Sequence, residues 1–290
     1  MKYAYYPGCS AESTARDMHE SSLAVARALG IDLVEIKGWT CCGASAAHQT
    51  NHLLGAALPA ANLLRARDMG LDMVVNCAAC YNRSKAANYA VATSAAVRRE
   101  VAEATGCDYD GSVKVRHFAE VLLQDVGPAS IRKSLKRTLN GLRVACYYGC
   151  YLVRPHEVTK FDDPEAPTIL DKLVTAMGGE SLDWPYKVEC CGGGLNLTRT
   201  DVVVRLSGSI MEMAQAAGAQ CIAVACPMCQ TSLDLRQKEI EKAAGRQFNM
   251  PVLYLTQLLG LCLGIPGKDL GLGRLMVAPD RVVAAVGAAA

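Results

Sequence analysis

The chain has 290 residues, 51% of them apolar and 20% charged, which allows one large domain or two of roughly 130 residues with real cores. A net charge of +2 and an aromatic content of 6% exclude a nucleic-acid-binding field, a base-stacking surface and a polybasic membrane patch. Fourteen cysteines are too many for inert packing. Met1 to Tyr6 reads straight into a strand and not into a signal peptide, so the thiols point to metal or redox chemistry in a reducing, cytoplasmic compartment.

In chain order, residues 2–6 are an apolar strand ending at Pro7-Gly8-Cys9. A helix over 14–29 is closed by Gly30, and a strand over 32–36 leads to Cys41-Cys42-Gly43. From Leu53 to about Gly70 the apolar period is helical, with Pro59 expected to kink the helix or delay its start. A buried-type strand over 72–76 runs into Cys77-Ala78-Ala79-Cys80. Residues 81–105 read as helical, 113–118 as a strand and 119–124 as a short helix.

A joint at 128–141 carries Arg132, Lys133, Lys136 and Arg137 and reads as a solvated linker helix. Beyond it the plan repeats: strand 142–147 ending at Gly149-Cys150, helix 168–177, strand 181–184 leading to Cys190-Cys191-Gly192, and helix 201–217. Strand 221–225 then feeds Cys226-Pro227-Met228-Cys229, followed by helix 231–244, strand 252–255 and a last helix. The apolar run 252–264 is too short to span a bilayer, which takes about 20 residues. The tail from 266 is poor in motifs, and its end, 282–290, is expected to be mobile or a partner contact.

The expected architecture is therefore α/β, in two pseudo-repeated halves at 1–127 and 142–265. Each half is a small, largely parallel sheet flanked by helices, with its cysteines at the C-terminal ends of the strands. The repeat is explicit in the cysteines. Cys41, Cys42, Cys77 and Cys80 map onto Cys190, Cys191, Cys226 and Cys229 by adding 149. Cys9 maps onto Cys150 by adding 141, so the second half carries eight extra residues there. The closing strands rhyme as well, Val115-Arg116-His117 against Val252-Leu253-Tyr254.

Five cysteines per half can hold several things. Structural zinc takes four ligands, commonly from two Cys-x-x-Cys hooks, and each half has one hook and a vicinal pair. A cubane [4Fe–4S] cluster also takes four thiolates and leaves one over. A vicinal disulfide would be strained. The surplus thiol is either a spare or a bridging ligand to a cluster of unusual shape. No GxGxxG after a strand and no P-loop occurs, so electrons must come from a partner.

The double pattern resembles the cysteine-rich CCG domain family and, within it, the B subunits of heterodisulfide reductases. The stretches that carry this are Tyr6-Pro7-Gly8-Cys9, Cys41-Cys42-Gly43, Cys77 to Cys80, Tyr148-Gly149-Cys150-Tyr151-Leu152-Val153-Arg154-Pro155, Cys190 to Gly194 and Cys226 to Cys229. The resemblance implies two noncubane [4Fe–4S] clusters. Cys9, Cys41, Cys42, Cys77 and Cys80 would hold one, and Cys150, Cys190, Cys191, Cys226 and Cys229 the other. It also implies a small disulfide or thiol substrate between the clusters, a C-type iron–sulfur protein as partner and an A-type flavoprotein behind it. Two other readings stand beside it: an electron-transfer subunit of a quinone- or fumarate-linked reductase, and a zinc-stabilised assembly protein.

Other residues attract attention more weakly. His156, after Arg154-Pro155, is the candidate proton donor. His48 and His52 have metal-binding spacing without a third ligand, and read as exposed or capping. Arg83, Arg154 and Arg199 would steer an anionic substrate or, more simply, balance cluster charge. Cys107, Cys146, Cys221 and Cys262 lie outside the repeat, and Cys146 is placed nearest a motif.

Overall fold

A computed structural model of the chain describes residues 1–44 and 46–288. Strands β1 (Lys2–Tyr6), β2 (Asp32–Glu35), β3 (Met73–Val75) and β4 (Val115–His117) form a parallel sheet in the order β2-β1-β3-β4. Ala4, Tyr5 and Tyr6 of β1 and all of β3 are buried, as expected of central strands covered on both faces. Edge strand β2 is partly exposed along its length.

After the joint, β5 (Arg137–Thr138) precedes a second parallel sheet. Its strands are β6 (Arg143–Tyr147), β7 (Glu180–Ser181), β8 (Cys221–Val224) and β9 (Val252–Tyr254), in the order β7-β6-β8-β9. The two sheets thus share one strand order, as the duplicated sequence requires. Both halves contribute to one continuous hydrophobic core.

Local differences from the sequence reading have local causes. The helix His52–Asp68 runs through Pro59 and starts seven residues before it. The stretch expected as one helix is two, Ala78–Thr93 and Ala95–Thr105. Ser94 separates them: its backbone is extended, and its Oγ accepts the Val97 N–H at 3.3 Å, so a capping serine outweighs an unbroken helical period. The helix expected over 231–244 is also divided. A short turn Pro227–Gln230 passes through a wider π-type turn, Thr231–Leu235, into Gln237–Ala244. The wide turn carries buried Asp234 to the amides of Met276 and Val277 at 2.8 and 3.2 Å.

The tail is not free. A short helix, Asp280–Ala285, buries Val282, and β10 (Gly287–Ala288) pairs antiparallel with β5. The apolar end thus finds its partner within the chain; residues 289–290 lie outside the described residues. At the joint, the helix Pro128–Ser134 turns Arg132 and Lys133 to solvent and buries Ile131.

Two helices fix the halves together. The helix Ala78–Thr93 lies against residues 150–159, where Tyr81 Oη donates to the Thr159 carbonyl at 2.9 Å. Asn82 Nδ2 donates to the carbonyls of Tyr151 and Arg154 at 2.9 and 2.8 Å. The helix Arg16–Ala28 packs on Leu255–Cys262, with Ser21 Oγ and Thr256 Oγ1 2.8 Å apart. These contacts bring the C-terminal edges of the two sheets together.

Candidate metal centre

Every motif cysteine sits where an open parallel sheet presents its loops. Cys9 follows β1, Cys41 and Cys42 follow β2, and Cys77 follows β3 and caps the helix Ala78–Thr93. Cys150, Cys190, Cys191 and Cys226 repeat those places after β6, β7 and β8. Loops beyond strand C-termini are where such sheets bind ligands, and the free N–H groups of helix starts favour thiolates.

The sulfurs are gathered within each half. Cys9 and Cys41 Sγ are 3.7 Å apart, and Cys42 and Cys80 Sγ 3.4 Å. In the second half Cys191 and Cys229 Sγ are 3.8 Å apart. The first sulfur of each vicinal pair also accepts a backbone N–H, from Gly43 to Cys41 at 3.4 Å and from Gly192 to Cys190 at 3.3 Å. Hydrogen bonds from Cys42, Cys9 and the Gly43 amide hold the Cys41 thiol far below the usual thiol range. Cys190 is drawn down to about 6, chiefly by Cys150 and with help from the Gly192 amide. Each half thus stabilises a thiolate at the same position, and thiolate is the form that binds metal.

The halves also act on each other through sulfur. Cys77 and Cys226 are both buried, and the influence of each on the other helps raise the Cys77 thiol and lower Cys226. A cavity of about 210 Å³ is lined by all five second-half motif cysteines, together with Gln49 and Ala78 from the first half. Among the described residues, no three or more His, Cys, Asp or Glu side chains converge on a single metal ion. In the second half the donor set is instead an all-thiol group around a roomy, largely apolar space, which fits a polynuclear thiolate-held group.

Glycine makes the approach possible in both halves. Gly8 and Gly149 have φ of +76° and +66°, and a Cβ on either would stand 3.0 Å from Cys80 Sγ or Cys229 Sγ. Gly149→Ala is expected to displace Cys229 and lower the metal content of the second half while leaving the first intact. Metal analysis of anaerobically purified variant checks this, and full loading would remove the close-approach argument.

One residue at the site lies outside the cysteine motifs. His117, buried at the end of β4, places Nε2 2.9 Å from the Asn76 carbonyl and 3.1 Å from the Ala225 carbonyl. Those residues directly precede Cys77 and Cys226. Nδ1 accepts the Ala119 N–H at 3.2 Å, so the ring is neutral with its proton on Nε2. Burial lowers its pKa accordingly. The one signal that points to it is the rhyme of the closing strands, which sets His117 opposite Tyr254; the Tyr254 hydroxyl is likewise buried at the junction, without a partner among the described residues.

The remaining sequence candidates are dispersed. His156 opens a four-residue helix, His156–Thr159, and is exposed. Arg154 pairs with Glu165 and Arg199 with Asp201, each at 2.8 Å. Cys146 is buried with its sulfur 3.4 Å from Ser181 Oγ, and Cys221 and Cys262 are buried too, as small apolar groups. Cys107 is exposed beside Arg67.

The sequence pattern of the CCG cysteine-rich domain matches residues 3–83 and again 144–234. The chain is 32% identical over 277 residues to the 8-methylmenaquinol:fumarate reductase membrane anchor subunit of Wolinella succinogenes, covering 95% of this chain and 97% of that one. It is 33% identical over 281 residues to a protein of Archaeoglobus profundus described as like the B subunit of heterodisulfide reductase, with 94% of each chain covered. It is 28% identical over 277 residues to the B subunit of a ferredoxin/F420H2-dependent CoB-CoM heterodisulfide reductase of Methanosarcina acetivorans, covering 93% and 92%. In fold it resembles the crystal structure of a hypothetical protein from Helicobacter pylori, with a TM-score of 0.74 and 11% identity. That likeness covers 95% of this chain, which spans about half (52%) of the solved one. Among the described residues no helix is long and apolar enough to cross a membrane. The chain belongs to the CCG cysteine-rich domain family, carries the domain twice, and is a homologue of heterodisulfide reductase B subunits.

Proposed function

We propose that this chain is the iron–sulfur subunit of an oxidoreductase complex that reduces or forms a small disulfide. The first cluster is held by Cys9, Cys41, Cys42, Cys77 and Cys80, and the second by Cys150, Cys190, Cys191, Cys226 and Cys229. The observation that supports this reading is the cavity lined by Cys150, Cys190, Cys191, Cys226 and Cys229 together with Gln49 and Ala78 of the first half. When bound, two noncubane [4Fe–4S] clusters would each supply one electron, so that a disulfide, two electrons and two protons become two thiols. The chain's own part is to hold the thiolates, to keep the rings adjacent through His117 and Asn82, and to admit substrate through the cavity beside Tyr151 and Met228. Electrons would be exchanged with a C-type iron–sulfur protein, itself served by an A-type flavoprotein, in the cytoplasm. His156, exposed at the domain junction, is the proposed source of protons.

The test is iron, sulfide and zinc content of anaerobically purified protein, with EPR after mild oxidation in the presence of a thiol. About eight irons without zinc, and a paramagnetic signal that responds to the thiol, are expected for two four-iron clusters. About four irons with one zinc would make one half structural and end the two-cluster mechanism. A second reading, electron transfer in a quinone- or fumarate-linked reductase, is favoured by the relative from Wolinella succinogenes. Reduction by a quinol with no response to thiols would select it.

A further inference from the structure

Five enclosed side-chain atoms have no hydrogen-bond partner among the described residues: His48 Nδ1, Asn76 Oδ1, Arg83 Nε, Ser84 Oγ and Tyr254 Oη. Two of them face one space. Asn76 and Tyr254 both line a cavity of about 20 Å³ where the halves join, together with Ser22, His117, Ala225 and Thr256. Asn76 follows β3 of the first sheet, Tyr254 ends β9 of the second, and both residues are buried. Asn76 Nδ2 already donates to Tyr5 Oη at 3.2 Å, so the atom left over is an acceptor. Tyr254 has a hydroxyl to donate. Donor and acceptor thus border the same cavity without reaching each other, and an unmet buried group of either kind is costly.

The space suits a single water, which takes about 10–15 Å³ and at least two polar neighbours. Asn76 and Tyr254 supply two. Ser22 Oγ donates to the Met18 carbonyl at 2.6 Å and keeps a lone pair as a third. One water can accept the Tyr254 O–H and donate to Asn76 Oδ1 and Ser22 Oγ. On its far side Asn76 continues through Tyr5 Oη to His19 Nδ1, a further 2.9 Å away, at an open surface groove. This polar line is no general demand of the fold. By the offsets of 141 and 149, the second-half counterparts of Tyr5 and Asn76 are Cys146 and Ala225, which supply neither phenol nor amide. The line exists in the first half alone, and it passes through the residue that directly precedes Cys77.

We infer that one buried water occupies this cavity and bridges Tyr254 Oη to Asn76 Oδ1, which makes Tyr254, a residue of the second half, a positioning residue for Cys77 in the first. The bridge holds Asn76 by its side chain, as His117 holds it by its carbonyl. The water itself is independent of what the thiols bind.

The direct test is a crystal structure of the anaerobically purified wild-type protein at a resolution that shows ordered water. One density peak within hydrogen-bond distance of both Tyr254 Oη and Asn76 Oδ1 is expected; a cavity without density would overturn the inference. Denaturant unfolding separates the two cases by sign. With the bridge, Tyr254→Phe removes a hydrogen bond that is made, and the folding equilibrium constant should fall about five- to tenfold. Without it, the same change removes an unmet hydroxyl, and the constant should rise. Positioning is read by EPR of the iron-loaded protein. Tyr254→Phe should shift the signal of the first half at unchanged iron content, although the substituted residue belongs to the second. A first-half signal identical to wild type would overturn the positioning role.

Discussion

Replacing Cys42 or Cys191 with alanine is expected to abolish disulfide turnover while stripping or altering only the cluster of its own half. The two residues are the second members of the vicinal pairs, both buried, with sulfurs 3.4 Å from Cys80 and 3.8 Å from Cys229. Each closes the inner wall of its ring. Cys42→Ala should bring iron from about eight to about four per chain and leave the second half's signal intact; Cys191→Ala should do the reverse. Because a disulfide needs both electrons, either single loss removes turnover completely even though half the metal remains. Metal analysis and EPR of each variant, read beside activity, check this. Unchanged metal content and spectrum in both variants would contradict the ligand assignment. Equal damage to both halves would mean the clusters are assembled as one unit.

The parts of this arrangement that can be read from the chain are those written as repetition. The constant offset of 149 between Cys41, Cys42, Cys77, Cys80 and their counterparts places equivalent loops on equivalent sheets. The shared order β2-β1-β3-β4 and β7-β6-β8-β9 is its structural counterpart. Apolar runs such as Met73–Val75 read as buried strands because central parallel strands are covered on both faces. What cannot be read is contact between elements far apart in sequence. Nothing local says that Gly287 and Thr138 will pair, or that Asn82 will reach the Arg154 carbonyl. Arg83, Arg154 and Arg199 are alike on paper; only the partners Glu165 and Asp201 tell them apart. His48 reads as exposed or capping because its enclosure depends on Gly55, seven residues on and on another helix. His117 escapes notice for a related reason: its chemistry is an interaction with two backbone carbonyls, and carbonyls leave no mark in a sequence.

That histidine carries the second large effect. His117→Leu is expected to lower stability by about 2–4 kcal/mol, since the Asn76 and Ala225 carbonyls lose their shared donor inside a buried junction. The ring also meets Tyr81 and Phe161 edge-on at centroid distances of 6.0 and 5.9 Å, so leucine keeps most of the apolar volume and isolates the polar loss. The pH dependence has a definite sign. Burial lowers the pKa of folded His117, while the unfolded chain takes a proton near the ordinary value of about 6.5. Between the two values the unfolded state binds more protons, so the contribution is fully present above the unfolded value and is lost as pH falls through the window towards the folded one. Wild type should therefore lose stability more steeply than His117→Leu as pH falls below about 6.5. Anaerobic denaturant unfolding at several pH values reads both the loss at pH 7 and the difference in slope. A variant with wild-type stability and wild-type slope would show that the carbonyls of Asn76 and Ala225 hold Cys77 and Cys226 in place without the imidazole. If instead the loss appears, and the EPR signals of both halves broaden together, the ring is the staple that keeps two separately folded thiol sites in register.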